Sequence, residues 1–273
     1  LLYPVLEELA ARISSSGRSI DQELVTGLIP LSPIQQWFFT NNSGNSHHYN
    51  QSILLQSKGR LSEAALRTAL DELVLHHDTL RMVYRQTAQG WVQENLGREQ
   101  QYGFEIVEVV TPENFEQHCE QVQSGIRLQE GPLLRVCLFR GAEADRLLLV
   151  IHHLVTDGVS WRILLEDLGN LYEQFLSGSP LQLPLKTDSF KYWMQQQLEY
   201  SNSTVLQQEE AWWSSLAIEP HPSIRIDNSE GSNLEKDRAS CSFMLDEQLT
   251  EQLFTRCYKA YHTGTNDILL TAL

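Results

Sequence analysis

Two consecutive histidines, His152 and His153, close the apolar run Leu147 to Ile151, and Thr156, Asp157, Gly158, Ser160 and Trp161 follow them closely. An imidazole takes up and releases protons near neutral pH, so this stretch is where acid/base chemistry would sit. The apolar run reads as a buried strand, and side chains alternate faces along a strand. Only one of the two histidines can therefore face a given cavity while its neighbour packs. Gly158 after Asp157 permits a tight turn, and a helix starting there brings free N–H groups and the positive end of its dipole beside the loop. A base next to a positive dipole suits proton transfer.

Rival readings of the same residues have identifiable weaknesses. A metal site lacks a coordination set, because consecutive histidines on a strand diverge and no close-spaced Glu or Cys completes one. A nucleophilic triad of Ser160, His153 and Asp157 lacks a GxSxG elbow, and residues this close on one turn rarely converge. A structural histidine pair is the ordinary reading of such a dipeptide, and it covers His47-His48 and His76-His77 as well. Trp37, Phe38 and Phe39 are expected to pack, Trp212-Trp213 to anchor a helix, and Glu166 and Asp167 to lie on a solvated helix face.

The elements that must position this stretch mix strands and helices, giving an α/β sandwich. Apolar spacing predicts helices over 34–40, 113–123, 159–175, 189–199, 205–216 and 247–261. Another follows Ser62, a good N-cap, with Ala65, Leu66, Ala69, Leu70 and Leu73 on one face. Strands are expected over 51–56, 80–85, 91–94, 104–110, 133–140, 146–152 and 239–245. Tyr3 to Ile13 has helical spacing, Ser14 to Ser19 reads as a linker, and Pro220 to Lys236 is polar and rich in breakers.

Composition narrows the function classes. The formal charge is −15, from 35 acidic against 20 basic side chains in 273 residues. With no basic run to track phosphates, neither nucleic acid nor an anionic membrane is expected as a partner. No apolar stretch approaches the roughly 20 residues that span a bilayer, and no signal peptide opens the sequence, so a cytoplasmic location is expected. Four cysteines without a CxxC pair read as reduced, buried thiols.

His152 to Trp161 matches the HHxxxDGxSW signature of the condensation and epimerization superfamily. Pro33-Ile34-Gln35-Gln36-Trp37-Phe38 resembles the PIQxWF motif that opens epimerization domains, His48 to Ser52 resembles the segment after it, and Asp267 to Ala272 resembles a DxLLxA motif. The sequence thus resembles an epimerization domain of a nonribosomal peptide synthetase over Leu28 to its end, and Val159 with Trp161 favours that branch over condensation. The resemblance implies a chloramphenicol-acetyltransferase-like, two-layer α/β fold of two lobes. The first lobe is expected over 28–205 and a truncated second over 206–273, preceded by the last helix of a carrier domain (1–16) and a linker (17–27).

The implied activity is inversion of the α-carbon, L to D, of an aminoacyl or peptidyl thioester carried on the 4'-phosphopantetheine of a carrier domain, with no cofactor or metal bound by this chain itself. The upstream peptidyl carrier domain and neighbouring synthetase modules are the implied partners. By resemblance His153 is the catalytic group and His152, Asp157, Gly158, Arg81, Ser160 and Trp161 support it. Asp157 is expected to pair with Arg81 across the lobe, so that breaking the pair strands a buried charge at several kcal/mol. The family's second acid/base residue, a glutamate in an EGHGRE motif, does not occur in this sequence, so the piece alone is expected to be inactive. Two rivals remain: a condensation domain using the same histidine for amide formation, and an inactive surface for carrier docking.

Overall fold

The computed structural model describes residues 19–42, 44, 46–98, 102–108, 111–218, 237–261 and 263–272. The expected carrier helix, most of the serine-rich linker and the stretch Pro220 to Lys236 lie outside them. The chain divides into two compact units, Leu1–Leu216 and Ala217–Leu273.

In the first unit the order is β1 (Gly27–Ile29), α1 (Pro33–Asn41), β2 (Asn50–Gln56), α2 (Glu63–His76), a 3-10 turn (Asp78–Arg81), β3 (Met82–Thr87) and β4 (Gly90–Asn95). There follow β5 (Gly103–Glu108), α3 (Pro112–Ser124), β6 (Leu134–Arg140), β7 (Arg146–His152), α4 (Gly158–Ser177), α5 (Phe190–Ser201) and α6 (Thr204–Ile218). The strands form a three-stranded sheet, β1-β4-β3, and a four-stranded sheet, β2-β7-β6-β5. All neighbours are antiparallel except β5 and β6.

The helices obey the signals that predict them. Ser62 caps α2 by accepting from the Ala65 N–H, and Ala65, Leu66, Ala69, Leu70 and Leu73 are all buried. That face packs on α4, which buries Trp161, Leu164, Leu168 and Leu171. Gly178 ends α4 in the left-handed region at φ 69°, a conformation that favours glycine. Strands β6 and β7 are apolar on both faces and almost wholly buried, as expected of central strands covered on two sides. One continuous hydrophobic core joins them to α2 and α4.

Several expectations are corrected. The strand expected from Leu80 begins instead at Met82, because Asp78 to Arg81 winds into a 3-10 turn that buries Leu80 and Arg81. In the second unit, α7 (Glu247–Tyr261) falls where periodicity places it, and α8 (Thr265–Ala272) covers the DxLLxA-like segment. Residues 239–245, expected as a strand, have no regular structure and are exposed. A strand exists only through ladder hydrogen bonds, and no described segment pairs with this one. Trp212 and Trp213 pack edge to face on each other at 4.6 Å but remain 57% and 56% exposed, so they do not anchor α6 into the core. Cys137 is buried as expected, whereas Cys241 is exposed. No described helix is long and apolar enough to cross a membrane.

Candidate active site

The end of β7 separates the two histidines as strand alternation requires. Asn50 on β2 pairs with His152, and the ladder continues one step through the His153 N–H, which donates to the Tyr49 carbonyl at 2.8 Å. His152 turns inward and is fully buried. Its Nε2 lies 2.8 Å from the Ser46 carbonyl, which can only accept, so Nε2 carries the proton. Nδ1 then accepts from the Leu154 N–H at 3.1 Å. Burial pushes the His152 pKa down from 6.5 to about 4, helped by the neighbouring His153, His47 and His48 and opposed by the Ser46 hydrogen bond. This ring is a neutral structural spacer.

A testable consequence follows from that burial. An unfolded His152 binds a proton below about pH 6.5 while the folded one does so only near pH 4, so the unfolded state holds more protons between those values. Stability is fully present above the unfolded value and falls as pH drops across this window, by roughly 3 kcal/mol. Urea unfolding midpoints measured at intervals from pH 7 to 4 should show the decline, and His152→Asn should flatten it.

His153 turns the other way. Its ring stacks on Tyr49, with centroids 5.3 Å apart and planes 15° from parallel. Nδ1 lies 2.8 Å from the Thr156 carbonyl oxygen, an acceptor, so here the proton sits on Nδ1. Nε2 keeps its lone pair, 3.2 Å from the Gln51 amide nitrogen. The adjacent histidines thus hold opposite tautomers, each fixed by one carbonyl. His153 lines a cavity of about 540 Å³ with Tyr49, Thr156, Trp37 and Phe38. Phe38 is buried, while Trp37 is 59% exposed and walls this cavity.

The turn that carries His153 is braced from below. Tyr84 on β3 is buried and donates its hydroxyl to the Leu154 carbonyl at 3.2 Å. Burial pushes its pKa upward, so it stays a phenol. Gln35 donates to Tyr84 at 3.1 Å and exchanges amide hydrogen bonds with Gln93 at 3.1 and 3.0 Å. Gln35 also closes a capping box with Ser32 at the start of α1. Sequence reasoning gave no role to Gln51, Tyr84 or Gln93; the S-x-x-Q spacing of Ser32 and Gln35, and the place of Gln35 in the PIQxWF-like motif, are signals that could have pointed to this brace.

Asp157 and Arg81 are not partners, which corrects the expected pair. Arg81 has five N–H groups, and all five are engaged. Nη1 donates to the Val74 and Leu75 carbonyls at 2.6 and 2.9 Å, Nε to Leu96 at 3.2 Å, and Nη2 to Val25 at 3.3 Å and Asp78 Oδ1 at 2.5 Å. Asp157 instead caps α4, accepting at Oδ1 from the Ser160 N–H at 2.8 Å and the Ser160 hydroxyl at 2.7 Å. Those two bonds hold its carboxyl below the usual carboxylate range. Ser160 is thereby committed to Asp157 and not to His153, so no nucleophilic triad forms. Gly158 opens α4, and Trp161 on its first turn is buried.

The cap sets a modest stability contribution. Asp157→Ala should cost about 1 kcal/mol at neutral pH, and Asp157→Asn much less. Because the folded pKa is depressed, the carboxylate's own contribution is present above the unfolded value of 3.8 and is lost as pH falls through the lower, folded one. Chemical denaturation of both variants at pH 7 checks the first statement and at pH 3 the second.

Asp167 also departs from expectation. It is buried and its Oδ2 lies 2.7 Å from His77 Nε2, beside His76, so it joins α4 to the end of α2 instead of facing solvent. The three side chains border a second cavity of about 350 Å³. A hydrogen-bonded His77–Asp167 pair accounts for the contact.

Comparisons with known proteins bear on this arrangement. The condensation domain family model matches residues 25–273. Tyrocidine synthase 2 of Brevibacillus parabrevis is 40% identical over 99% of the chain, which covers 8% of that protein. Gramicidin S synthase 1 of Brevibacillus brevis is 38% identical over the whole chain, which covers 25% of it. The chain therefore spans a quarter or less of the length of these relatives. Among solved structures, the epimerization domain from the third module of tyrocidine synthetase B aligns with TM-score 0.81 and 40% identity, over 92% of this chain and 59% of that one. The starter condensation domain of rhizomide synthetase, 18% identical with TM-score 0.60 over 69% of this chain and 48% of its own, shares the fold. With a family model spanning nearly all the described residues and relatives matched along the full chain, this protein belongs to the condensation domain family found in nonribosomal peptide synthetases.

Proposed function

We propose that this chain is part of an epimerization domain, inverting the α-carbon of an aminoacyl or peptidyl thioester presented on the phosphopantetheine arm of a carrier domain. His153 is the proton-transfer group. The observation that carries the proposal is the fixed tautomer: Thr156 holds the proton on Nδ1, so Nε2 presents a lone pair on a ring that lines a cavity. Taking the α-proton there forms an imidazolium and leaves an enolate. A second acid other than His153, on the far side of the substrate, gives a proton to the opposite face to complete inversion, and the imidazolium and that acid's conjugate base re-equilibrate their protons with solvent. The positive end of the α4 dipole lies next in the chain and favours the developing negative charge.

The likeness to a solved epimerization domain at 40% identity supports this branch over amide formation. Carrier and neighbouring synthetase domains are the partners that the reading requires. The deciding experiment follows loss of α-deuterium from a carrier-bound, α-deuterated aminoacyl thioester, using the full-length synthetase module that contains this chain. Washout supports epimerization. Amide formation with a second loaded carrier, without washout, assigns the domain to condensation, and neither activity points to carrier docking.

A further inference from the structure

We infer that Gln51 is a positioning residue for His153 and that Trp161 fixes the direction in which it acts. The inference rests on the proton-transfer reading for its consequence in turnover, whereas the state of the ring stands on geometry alone. An indole N–H can only donate. Trp161 Nε1 lies 2.8 Å from Gln51 Oε1, so the carboxamide oxygen is committed to the indole. The amide's other end, an NH2 that can only donate, therefore faces His153 Nε2 at 3.2 Å and meets a lone pair. From the opposite side, the Thr156 carbonyl requires the proton on Nδ1. Two independent contacts dictate the same tautomer.

The parts that hold Gln51 are rigid. Its backbone pairs with Ile151 in the β2–β7 ladder, one residue before the histidines, and Trp161 is buried in the first turn of α4. The indole thus works as a key. While it holds the oxygen, the amide cannot rotate to offer an acceptor to Nε2. Once the product departs and the amide returns, a proton left on Nε2 faces a donor, so the ring gives it up instead of retaining it. Asp157, the carboxylate nearest in the chain, is occupied by Ser160 and offers no alternative acceptor through Oδ1. The substrate displaces the amide from the lone pair as it arrives, so Gln51 acts through the histidine and not on the reacting carbon.

Substitutions separate this role from packing. In Gln51→Glu the carboxylate accepts from Trp161 with one oxygen and from His153 with the other. Both ring nitrogens then face acceptors, and the imidazolium has no lone pair. Gln51→Met fills the same space and offers neither. Ring 15N shifts of labelled histidine, with the His153 signals identified by their loss in His153→Ala, read the ring state directly at about pH 8, where a neutral imidazole is the ordinary form. We expect Nε2 unprotonated in the unaltered chain and protonated in Gln51→Glu. In Trp161→Phe the Thr156 carbonyl still holds the proton on Nδ1, while the Gln51 carboxamide NH2 signals shift as the amide loses its fixed orientation. An unprotonated Nε2 in Gln51→Glu, or Gln51 carboxamide signals unchanged in Trp161→Phe, overturns the inference.

In the full-length module, washout by Gln51→Glu should fall about 10²-fold in kcat with KM altered less than about 2-fold, the loss expected when a general base is disabled. Gln51→Met should keep at least about 10-fold more activity than Gln51→Glu. Equal losses in the two variants would mean that Gln51 only packs. If the unaltered module shows no washout at all, the epimerization reading falls, and the 15N spectra still decide whether Trp161 orients Gln51 toward the ring.

Discussion

His153→Ala lowers α-deuterium washout by about 10²- to 10⁴-fold, the range that a positioned general base contributes, while leaving the fold in place. The second half of that statement comes from where the ring sits. His153 is partly exposed on a cavity wall, and its ring makes two hydrogen bonds, to Thr156 and Gln51. Removing it frees those two groups beside an open cavity of about 540 Å³, where water can reach them and replace the lost partner. His152 is the internal control. It has the same chemistry but is sealed in the core between Ser46 and Leu154, so His152→Ala should lower stability through a cavity and two unsatisfied backbone groups. The diagnostic pattern is thus crossed: turnover falls without loss of unfolding free energy in one variant, and unfolding free energy falls in the other. Washout rates and urea midpoints measured on both variants test it, and a His153→Ala protein that retains turnover would exclude the ring as the proton carrier.

Sequence alone reaches far where one local rule decides the outcome. The cap at Ser62 and the span of α7 follow from residue type and periodicity. The alternation of a buried strand also predicts that His152 and His153 part company, and they do. It fails where the outcome depends on a partner distant in the chain. Gln51 lies in an alternating strand and reads as an ordinary polar position; only the fold brings Trp161 and His153 to its two ends. Residues 239–245 have the composition of a strand, yet strand structure is a property of a pair. Asp167 sits at a helix position that a surface acid could fill, and its burial depends on His77 across the α2–α4 contact. Local grammar positions the site and, through the Thr156 carbonyl three residues on, sets the His153 tautomer, whereas the long-range hydrogen bonds of Ser46, Gln51 and Trp161 have no local signature.

Arg81→Met should cost about 3–5 kcal/mol of unfolding free energy, the range for removing one partner from a buried charged network. The side chain is 1% exposed and spends every N–H it has. Four of its acceptors are main-chain carbonyls from three separate places: Val25 before β1, Val74 and Leu75 near the end of α2, and Leu96 just after β4. One guanidinium therefore ties the end of α2 to the margin of the β1–β4 ladder, where Val25 and Leu96 lie just outside its last pair, Gly27 and Asn95. Methionine matches its stem and fills much of the volume, so the loss measured is that of the donors and not of packing. Asp78 keeps Lys186 at 3.2 Å, which limits the damage to the charge itself. The comparison with Asp157 decides between two accounts. If Arg81 and Asp157 formed a buried pair, Asp157→Ala would strand the guanidinium and cost nearly as much as Arg81→Met. With Asp157 acting as a helix cap, its removal costs only about 1 kcal/mol, and the double variant should equal the sum of the single ones within about 0.5 kcal/mol because they share no bond. Urea unfolding of the three variants measures the coupling directly. A coupling above about 2 kcal/mol would restore the pair, and additivity would leave Arg81 as the clasp of three backbone segments and Asp157 as the cap of the helix that carries Trp161 to Gln51.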